Sequence, residues 1–163
     1  MTSAFGEPGS GPLAGVRVID LTINVLGPVA TQQLGDMGAS VIKVEPPEGD
    51  PMRDNGPGRN PHMSVLYLNL NRNKRSIRLD LKDPAQREAL LRLLSEADVL
   101  VHSMRSNAAG RLGLDYPSLH TLFPRLIYAS APGYSPDGPN RDRPAYDDVI
   151  QGESGVAGLV QAA

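Results

Sequence analysis

Four short apolar runs recur along the chain, and each is bounded by Gly, Pro or polar residues. They occupy positions 16–21, 40–45, 99–102 and 126–130. Runs of this length, rich in β-branched residues, are typical of strands that are buried on both faces of a parallel sheet. We predict that all four are strands.

Segments with helical signals separate these runs. Segment 27–38 opens at Gly27-Pro28, with Pro28 suited to the first turn of a helix, and closes at Gly38. Asp83 is a good N-cap for the clearest helix, with Pro84 at its first position and Gln86 completing a capping-box pattern. The apolar stripe of that helix consists of Ala89, Leu90, Leu93, Leu94 and Ala97. Shorter helices are predicted at 107–112, at 116–123 and from Tyr146 onward.

Two further segments, 65–71 and 76–81, show the alternation of strands and flank a basic cluster at 72–75, so they are also compatible with a hairpin. Loops rich in Gly and Pro are predicted at 46–64 and 132–144. Strands and helices alternate along the chain. This order predicts an α/β fold, a Rossmann-like three-layer domain with a mainly parallel sheet.

We divide the 163 residues into a flexible N-terminal arm, 1–11, and one domain, 12–163. Charged residues make up 21% of the chain and the net charge is −2, a balance that does not indicate a nucleic-acid surface. The absence of cysteine fits a reducing, cytoplasmic compartment. No uncharged run is long enough to span a bilayer, so we expect a soluble protein without a membrane partner.

Several familiar sites lack support in the sequence. The G-x-G-x-x-G fingerprint is absent after the first strand, and no Walker A loop occurs. His62, His102 and His120 are scattered, so no metal site is predicted. Ser135 lacks the G-x-S-x-G context of a hydrolase nucleophile and is interpreted as a turn residue.

Cations at two places allow two interpretations. Lys74, Arg75, Arg78 and Lys82 are either a solvated strand edge or a set of cations that meets phosphates. Arg111, between Gly110 and Gly113, is either an exposed helix end that interacts with the helix dipole or a phosphate contact. The residues alone leave both alternatives open.

Taken in order, the motifs resemble class III CoA transferases. They include PLAGVRVIDLT at 12–22, LGP at 26–28, LGDMGASVIKVEPP at 34–47, NRNKRSIRLDLK at 71–82, ADVLV at 97–101, RLGL at 111–114, PRLIY at 124–128 and RPAYD at 143–147. Each piece is common alone, but the ordered set is specific and covers roughly residues 12–160. The resemblance implies a CoA transferase, which moves coenzyme A between an acyl-CoA and a carboxylic acid, with CoA as substrate and no permanently bound cofactor.

In that family a catalytic Asp attacks the acyl-CoA to give a mixed anhydride and releases the CoA thiolate. The thiolate then attacks this anhydride to form an enzyme thioester, from which the second acid accepts CoA. The resemblance places this Asp beyond Ala163, so no catalytic residue is assigned within the chain. We therefore expect the chain to be a truncated N-terminal, CoA-binding part that is inactive alone. The family also implies an interlocked homodimer for the intact form.

The family's contact positions carry over to specific residues. CoA contacts are implied for Val25, Leu26, Leu79, Asp80, Leu81, Lys82, Ser103, Met104, Arg105 and Arg111. Tyr146 and Asp147 match a pair that lines the acyl end of the site. The identity of the two acids is not readable from this segment.

The chain departs from the family at two loops. Ile23 stands where a basic residue is common, and His102, Ser103 and Met104 stand where Glu-Asn-Phe is common. These changes favour one alternative, a degenerate, non-catalytic CoA-binding remnant. A second alternative, an acyl-CoA racemase, is disfavoured because that branch carries His where Tyr146 stands.

Overall fold

Five parallel strands form one sheet at the centre of the molecule. The computed structural model describes residues 4–6 and 9–162. The strands are β1 (Arg17–Leu21), β2 (Ser40–Glu45), β3 (Lys74–Arg78), β4 (Val99–His102) and β5 (Ile127–Ser130), arranged in the order β3-β2-β1-β4-β5. Every neighbouring pair is parallel, and Ile19 lies opposite both Ile42 and Leu100. This order is that of a doubly wound α/β sheet and confirms the predicted fold class.

Helices connect the strands. They are α1 (Leu26–Asp36), α2 (Val65–Leu70), α3 (Pro84–Ser95), α4 (Ser106–Leu112), α5 (Tyr116–Leu122), α6 (Asp147–Glu153) and α7 (Val156–Ala162), with a 3-10 turn at Pro51–Asp54. The first helix starts at Leu26, one residue before the predicted opening at Gly27-Pro28, and Pro28 lies in its first turn as predicted. Gly38 follows that helix with a φ of 99°, a conformation that glycine adopts without strain, and leads the chain into β2.

Apolar side chains cover both faces of the sheet. On one face Ile19, Ile42 and Leu100 pack with Leu90 and Leu94 of α3, the two residues of the predicted apolar stripe that are fully buried. On the other face Val18, Val41 and Val101 form a second cluster against which Leu34 of α1 packs. The sheet is therefore the middle one of three layers.

A buried polar network ties the edge strand β3 to β1. The Asp20 carboxylate lies 3.0 Å from the Lys74 ammonium and accepts a hydrogen bond from the Thr31 hydroxyl at 2.7 Å. Burial alone would raise the pKa of Asp20, but Lys43, Lys74 and hydroxyl donors lower it below its ordinary value. Lys74 also donates to the Pro28 carbonyl at 2.9 Å. Lys74, the first basic residue of β3, therefore belongs to the buried interior of the fold and not to a solvated strand edge.

The strand predicted at 65–71 is wrong, because this segment is helix α2. Ser64 caps it, and its hydroxyl accepts from the Tyr67 amide at 3.0 Å. Only Tyr67 of the helix is buried, whereas Leu66 and Leu68 are exposed, so the alternating pattern does not mark a sheet face. Local capping outweighs the alternation of Leu with polar residues.

The strand predicted at 76–81 is real but displaced, since β3 spans Lys74–Arg78. It runs parallel to β2, which also excludes the hairpin that was considered. The displaced end matters for function, because Leu79 to Lys82 then form the turn between β3 and α3 and not a strand. Within the predicted arm, Phe5 is only 2% exposed and belongs to the core, while the flexibility of 1–11 stays a prediction.

Candidate functional site

A cavity of about 660 Å³ opens at the carboxyl ends of β1, β2, β3 and β4. Leu21, Val44 and Leu79 form its apolar floor, on the same face of the sheet as α3. Ligands of open α/β sheets bind at this end of the strands, and the volume falls in the range of small-molecule pockets. Position and size therefore mark this cavity as the candidate site.

The turn after β3 forms one wall of the cavity and is held rigidly. The Asp80 carboxylate accepts from the Lys82 amide at 3.0 Å, and the Gln86 side-chain oxygen accepts from the Asp80 amide at 2.8 Å. Gln86 also donates to the Asp83 carboxylate at 2.9 Å. The reciprocal capping box predicted for Gln86 is thus wrong: Asp83 caps the Ala85 amide, while Gln86 reaches back to clamp the turn.

The loop after β4 forms the opposite wall. The Ser103 hydroxyl accepts from the Ile23 amide at 3.3 Å, which joins this loop to the end of β1. The Met104 amide donates to Nδ1 of His102 at 3.2 Å, so Nε2 carries the ring proton and donates to the Tyr128 hydroxyl at 2.7 Å. Burial lowers the pKa of His102 to about 4 and keeps the ring neutral. His102 thus shapes the backbone of the pocket loop.

Arg111 enters the cavity from the last turn of α4. This helix ends at Gly113, whose φ of 67° is left-handed and suits glycine. Arg111 and Lys82 line the cavity with exposed side chains, and neither forms an ion pair with any residue that the structure describes. Arg87, from the first turn of α3, is a third such cation. Three cations therefore border the cavity without anionic partners among the described residues.

Three acidic residues also line the cavity, and only one of them has a carboxylate without an ion pair or hydrogen bond among the described residues. Glu45 is buried and pairs with Arg53 at 2.7 Å. Burial would raise the pKa of Glu45, but hydrogen bonds from Arg53, Ser76 and other donors lower it to about 2. The Asp80 carboxylate is used within its own turn, which leaves Glu48 as the exposed acid of the rim. The cavity therefore presents an excess of available positive charge.

The structure brings together seven of the ten residues predicted to contact CoA. They are Leu79, Asp80, Leu81, Lys82, Ser103, Met104 and Arg111. Val25 and Leu26 do not line the cavity and are 51% and 73% exposed at the start of α1. Arg105 also lies outside the lining and donates to the Asp142 carbonyl at 3.4 Å.

The predicted acyl-site pair also lies outside the cavity lining. Tyr146 is 64% exposed, and the Asp147 carboxylate accepts from the Gln151 amide group one turn later in α6. Their role at an acyl site stays a prediction.

Sequence reasoning missed one lining cation, Arg87, and assigned no contact to a second lining residue, Ile23. Arg87 follows Lys82 by five positions, so it lies one turn into the helix that begins after the LDLK motif. Its place on the predicted helix was a usable signal, since a cation in a first turn opposes the helix dipole. Ile23 was noted as a departure from the family, and its exposed side chain contributes apolar wall.

Within residues 4–6 and 9–162, no three His, Cys, Asp or Glu side chains cluster closely enough to hold a metal ion. Among these same residues, no helix combines the length and apolar character needed to cross a membrane.

Comparison with known proteins places this chain in a family. An acetyl-CoA:oxalate CoA-transferase of Acetobacter aceti is 42% identical over 96% of this chain and 40% of its own length. A succinate–glutarate CoA-transferase of Agrobacterium fabrum is 44% identical over 91% of this chain and 39% of its own length. The chain thus spans about two fifths of these relatives.

A solved structure agrees with these matches. The crystal structure of a CAIB/BAIF family protein from Brucella suis matches with a TM-score of 0.84 at 40% identity, over 90% of this chain and 40% of that one. The sequence profile of CoA-transferase family III matches residues 13–162. The chain belongs to CoA-transferase family III.

Proposed function

We propose that this chain is the CoA-binding part of a transferase that moves coenzyme A between an acyl-CoA and a carboxylic acid. The similar proteins of Acetobacter aceti and Agrobacterium fabrum are both named CoA-transferases, and each is matched over about two fifths of its length. The segment shared with them contains the whole candidate cavity. Residues of this segment would hold CoA, which enters and leaves as a substrate.

One observation carries the proposal: unpaired cations surround a cavity whose floor is apolar. Lys82 and Arg111 line it without ion pairs among the described residues, and Leu21, Val44 and Leu79 form its floor. CoA combines three phosphate groups with an adenine ring and a neutral pantetheine arm. Charge-assisted hydrogen bonds suit the phosphates, and the apolar floor suits the rest of the molecule.

We infer that the chain holds CoA but does not itself supply the nucleophile. Asp80 is the only aspartate that lines the cavity among the described residues, and its carboxylate accepts from the Lys82 amide at 3.0 Å. A nucleophilic carboxylate must be free to attack the thioester carbon. We therefore place the attacking Asp in sequence beyond Ala163, together with a homodimeric assembly and a cytoplasmic location, as the family resemblance suggests.

Calorimetric titration tests the proposal. CoA should bind the parent chain, and Arg111→Gln and Lys82→Gln should each weaken binding by roughly tenfold or more, because each removes a charge-assisted contact. Arg125→Gln is a matched control, since Arg125 is exposed and does not line the cavity. Failure of the parent to bind CoA, or equal affinity in all folded variants, would contradict the proposal. Turnover of an acyl-CoA with an acid acceptor by this chain alone would contradict the placement of the nucleophile.

A further inference from the structure

Lys43 is a fully buried lysine that the proposed function does not use. It lies one position before Val44, whose side chain forms part of the cavity floor. Neighbouring residues of a strand point to opposite faces, so the Lys43 side chain leaves the sheet on the face away from this floor. Val41, two positions earlier, packs in the cluster on that same face. Lys43 therefore acts on the cavity through the backbone and not by contact with a ligand.

The ammonium group of Lys43 holds the backbone at the end of β1. It donates to the Thr22 carbonyl at 2.8 Å. Thr22 is buried and stands between Leu21 and Ile23, which both line the cavity. A buried carbonyl needs a hydrogen-bond donor, and the Lys43 side chain supplies one here. Lys43 thus fixes the first segment of the cavity lining.

The Lys43 ammonium group also holds the turn after β2. It lies 2.8 Å from the Asp50 carboxylate, and both side chains are buried. Asp50 directly follows the turn that supplies residues 46–48 to the cavity lining. This turn closes on itself, because the Gly49 amide donates to the Pro46 carbonyl at 2.9 Å. One buried charge therefore joins two segments of the cavity lining.

The ion pair between Lys43 and Asp50 is poorly aligned for a hydrogen bond. Oδ2 of Asp50, the atom that faces Lys43, is buried and accepts no hydrogen bond from the residues that the structure describes. Burying two charges costs free energy that their attraction recovers only when the geometry is excellent, so such pairs often add little stability over apolar residues. The pair therefore contributes a fixed distance between the two segments more than it contributes free energy of unfolding.

We propose that Lys43 is a positioning residue for the cavity. It sets the spacing between the Thr22 backbone and the turn that ends at Asp50, and thereby the shape that CoA meets. This inference rests on the proposed function of the cavity. A site whose walls are held in place before binding avoids the cost of ordering them during binding. Loss of the link should therefore weaken CoA binding even where the fold is as stable as that of the parent.

The Lys43→Met/Asp50→Asn double variant separates positioning from stability. It removes both charges at once, so neither charge is left buried and unpaired. Asparagine keeps the side-chain oxygen with which Asp50 accepts from the Met52 amide at 2.9 Å. Calorimetric titration of CoA into the 163-residue chain should show binding weaker by roughly tenfold than in the parent. Hydrogen exchange measured by NMR should be faster at the Gly49 amide, because the turn is released.

Leu119→Ala is the matched control. Leu119 is 1% exposed in α5 and does not line the cavity, so its truncation lowers stability without touching either segment. This variant should bind CoA as the parent does below its unfolding temperature, and thermal unfolding of every variant reports folding. Should the double variant not fold, Asp50→Asn alone leaves Lys43 on the Thr22 carbonyl and should weaken CoA binding by a smaller factor.

Each result decides a separate point. If the parent binds CoA and the folded variants at Lys43 and Asp50 bind it equally well, Lys43 is not a positioning residue and the proposed function stands. The same conclusion follows if Leu119→Ala loses as much affinity as the double variant, or if exchange at Gly49 is unchanged in the double variant. If the parent does not bind CoA, the proposed function fails and the role of Lys43 fails with it.

Discussion

His102 Nε2 lies 2.7 Å from the Tyr128 hydroxyl oxygen, and this contact connects two walls of the candidate site. Through Nδ1, His102 accepts from the Met104 amide of the pocket loop. The Tyr128 hydroxyl in turn donates to the Leu114 carbonyl at 3.0 Å, just after the helix that bears Arg111. The loop after β4 and the end of α4 are thus held by one chain of hydrogen bonds.

Removal of the Tyr128 hydroxyl should destabilise the fold. Tyr128→Phe leaves the His102 N–H and the Leu114 carbonyl without their partner, which typically costs about 1–3 kcal/mol. Urea unfolding monitored by circular dichroism measures the loss. Tyr116→Phe is the control, because the Tyr116 ring packs edge-to-face on the Tyr128 ring with centroids 5.7 Å apart, and its hydroxyl has no described partner. Equal stability of Tyr128→Phe and the parent would show that the hydrogen-bond chain is not formed.

The buried His102 predicts a pH dependence of stability. Its folded-state pKa of about 4 lies below the ordinary value of 6.5, so the unfolded chain binds the proton more readily. The contribution of neutral His102 to the free energy of unfolding is fully present above about pH 6.5 and is lost as the pH drops toward 4. The total loss is at most about 3 kcal/mol. Urea unfolding from pH 7.5 to 4.5 should show this slope in the parent. Glu45 makes a similar contribution that is lost only at lower pH, between its ordinary pKa of 4.5 and its folded-state pKa of about 2.

Variants at two histidines separate this effect from other titrations. His102→Gln should flatten the slope, because an amide keeps a donor and an acceptor but does not titrate. His120→Gln, at an exposed position, should keep the slope of the parent. A slope that survives in His102→Gln would assign the pH dependence to another group.

Neutralising Glu45 should cost more stability than any rim variant. Its buried carboxylate accepts from the Tyr67 hydroxyl at 2.9 Å and from the Asp50 amide at 2.9 Å, besides its pair with Arg53. Glu45→Gln replaces an acceptor by a donor and leaves the Arg53 charge unmatched, at a cost of about 3–5 kcal/mol. Chemical denaturation checks this. Glu48→Gln, at an exposed position, should stay within about 0.5 kcal/mol of the parent, and a similar loss in both variants would refute the network.

Substitution by alanine should change the stability of the fold in opposite directions at two glycines. A Cβ added at Gly27 would lie 2.3 Å from Cβ of Thr22, so Gly27→Ala forces α1 away from β1 and should cost about 1–3 kcal/mol. A Cβ at Gly110, inside α4, meets nothing within 4 Å, so Gly110→Ala should stabilise by about 0.4–1 kcal/mol. Differential scanning calorimetry measures both shifts. A stabilised Gly27→Ala would mean that α1 does not approach β1 this closely.

The fold was largely predictable because its inner strands are dense in apolar residues. β1, β2 and β4 are buried on both faces, so Val, Ile and Leu recur in each of them and outweigh the buried polar residues Asp20 and Glu45 in the pattern. The edge strand β3, Lys-Arg-Ser-Ile-Arg, is mostly exposed and lacks that signal, which explains its displaced prediction. Its Lys74 is buried against Asp20, a pairing across 54 positions that no local pattern reveals.

The candidate site was predictable where contact residues are contiguous in the sequence. Leu79 to Lys82 form one turn; family resemblance assigns all four to CoA contact, and the structure brings all four to the cavity. Arg87 was missed because its place in the cavity lining depends on how α3 packs against the preceding turn. Val25 and Tyr146 were assigned by resemblance, and both are exposed outside the cavity in this chain.

The most direct test of the central claim locates CoA on the chain. Titration of CoA into the ¹⁵N-labelled protein should shift the amide resonances of the Leu79–Lys82 turn, of Ser103 and Met104, and of the Ala108–Leu112 part of α4, all at the carboxyl end of the sheet. Amides near the second, smaller cavity formed by Phe5, Ser40 and Arg75 should not move. Shifts confined to that second cavity, or no shifts at saturating CoA, would contradict a CoA site at the strand ends.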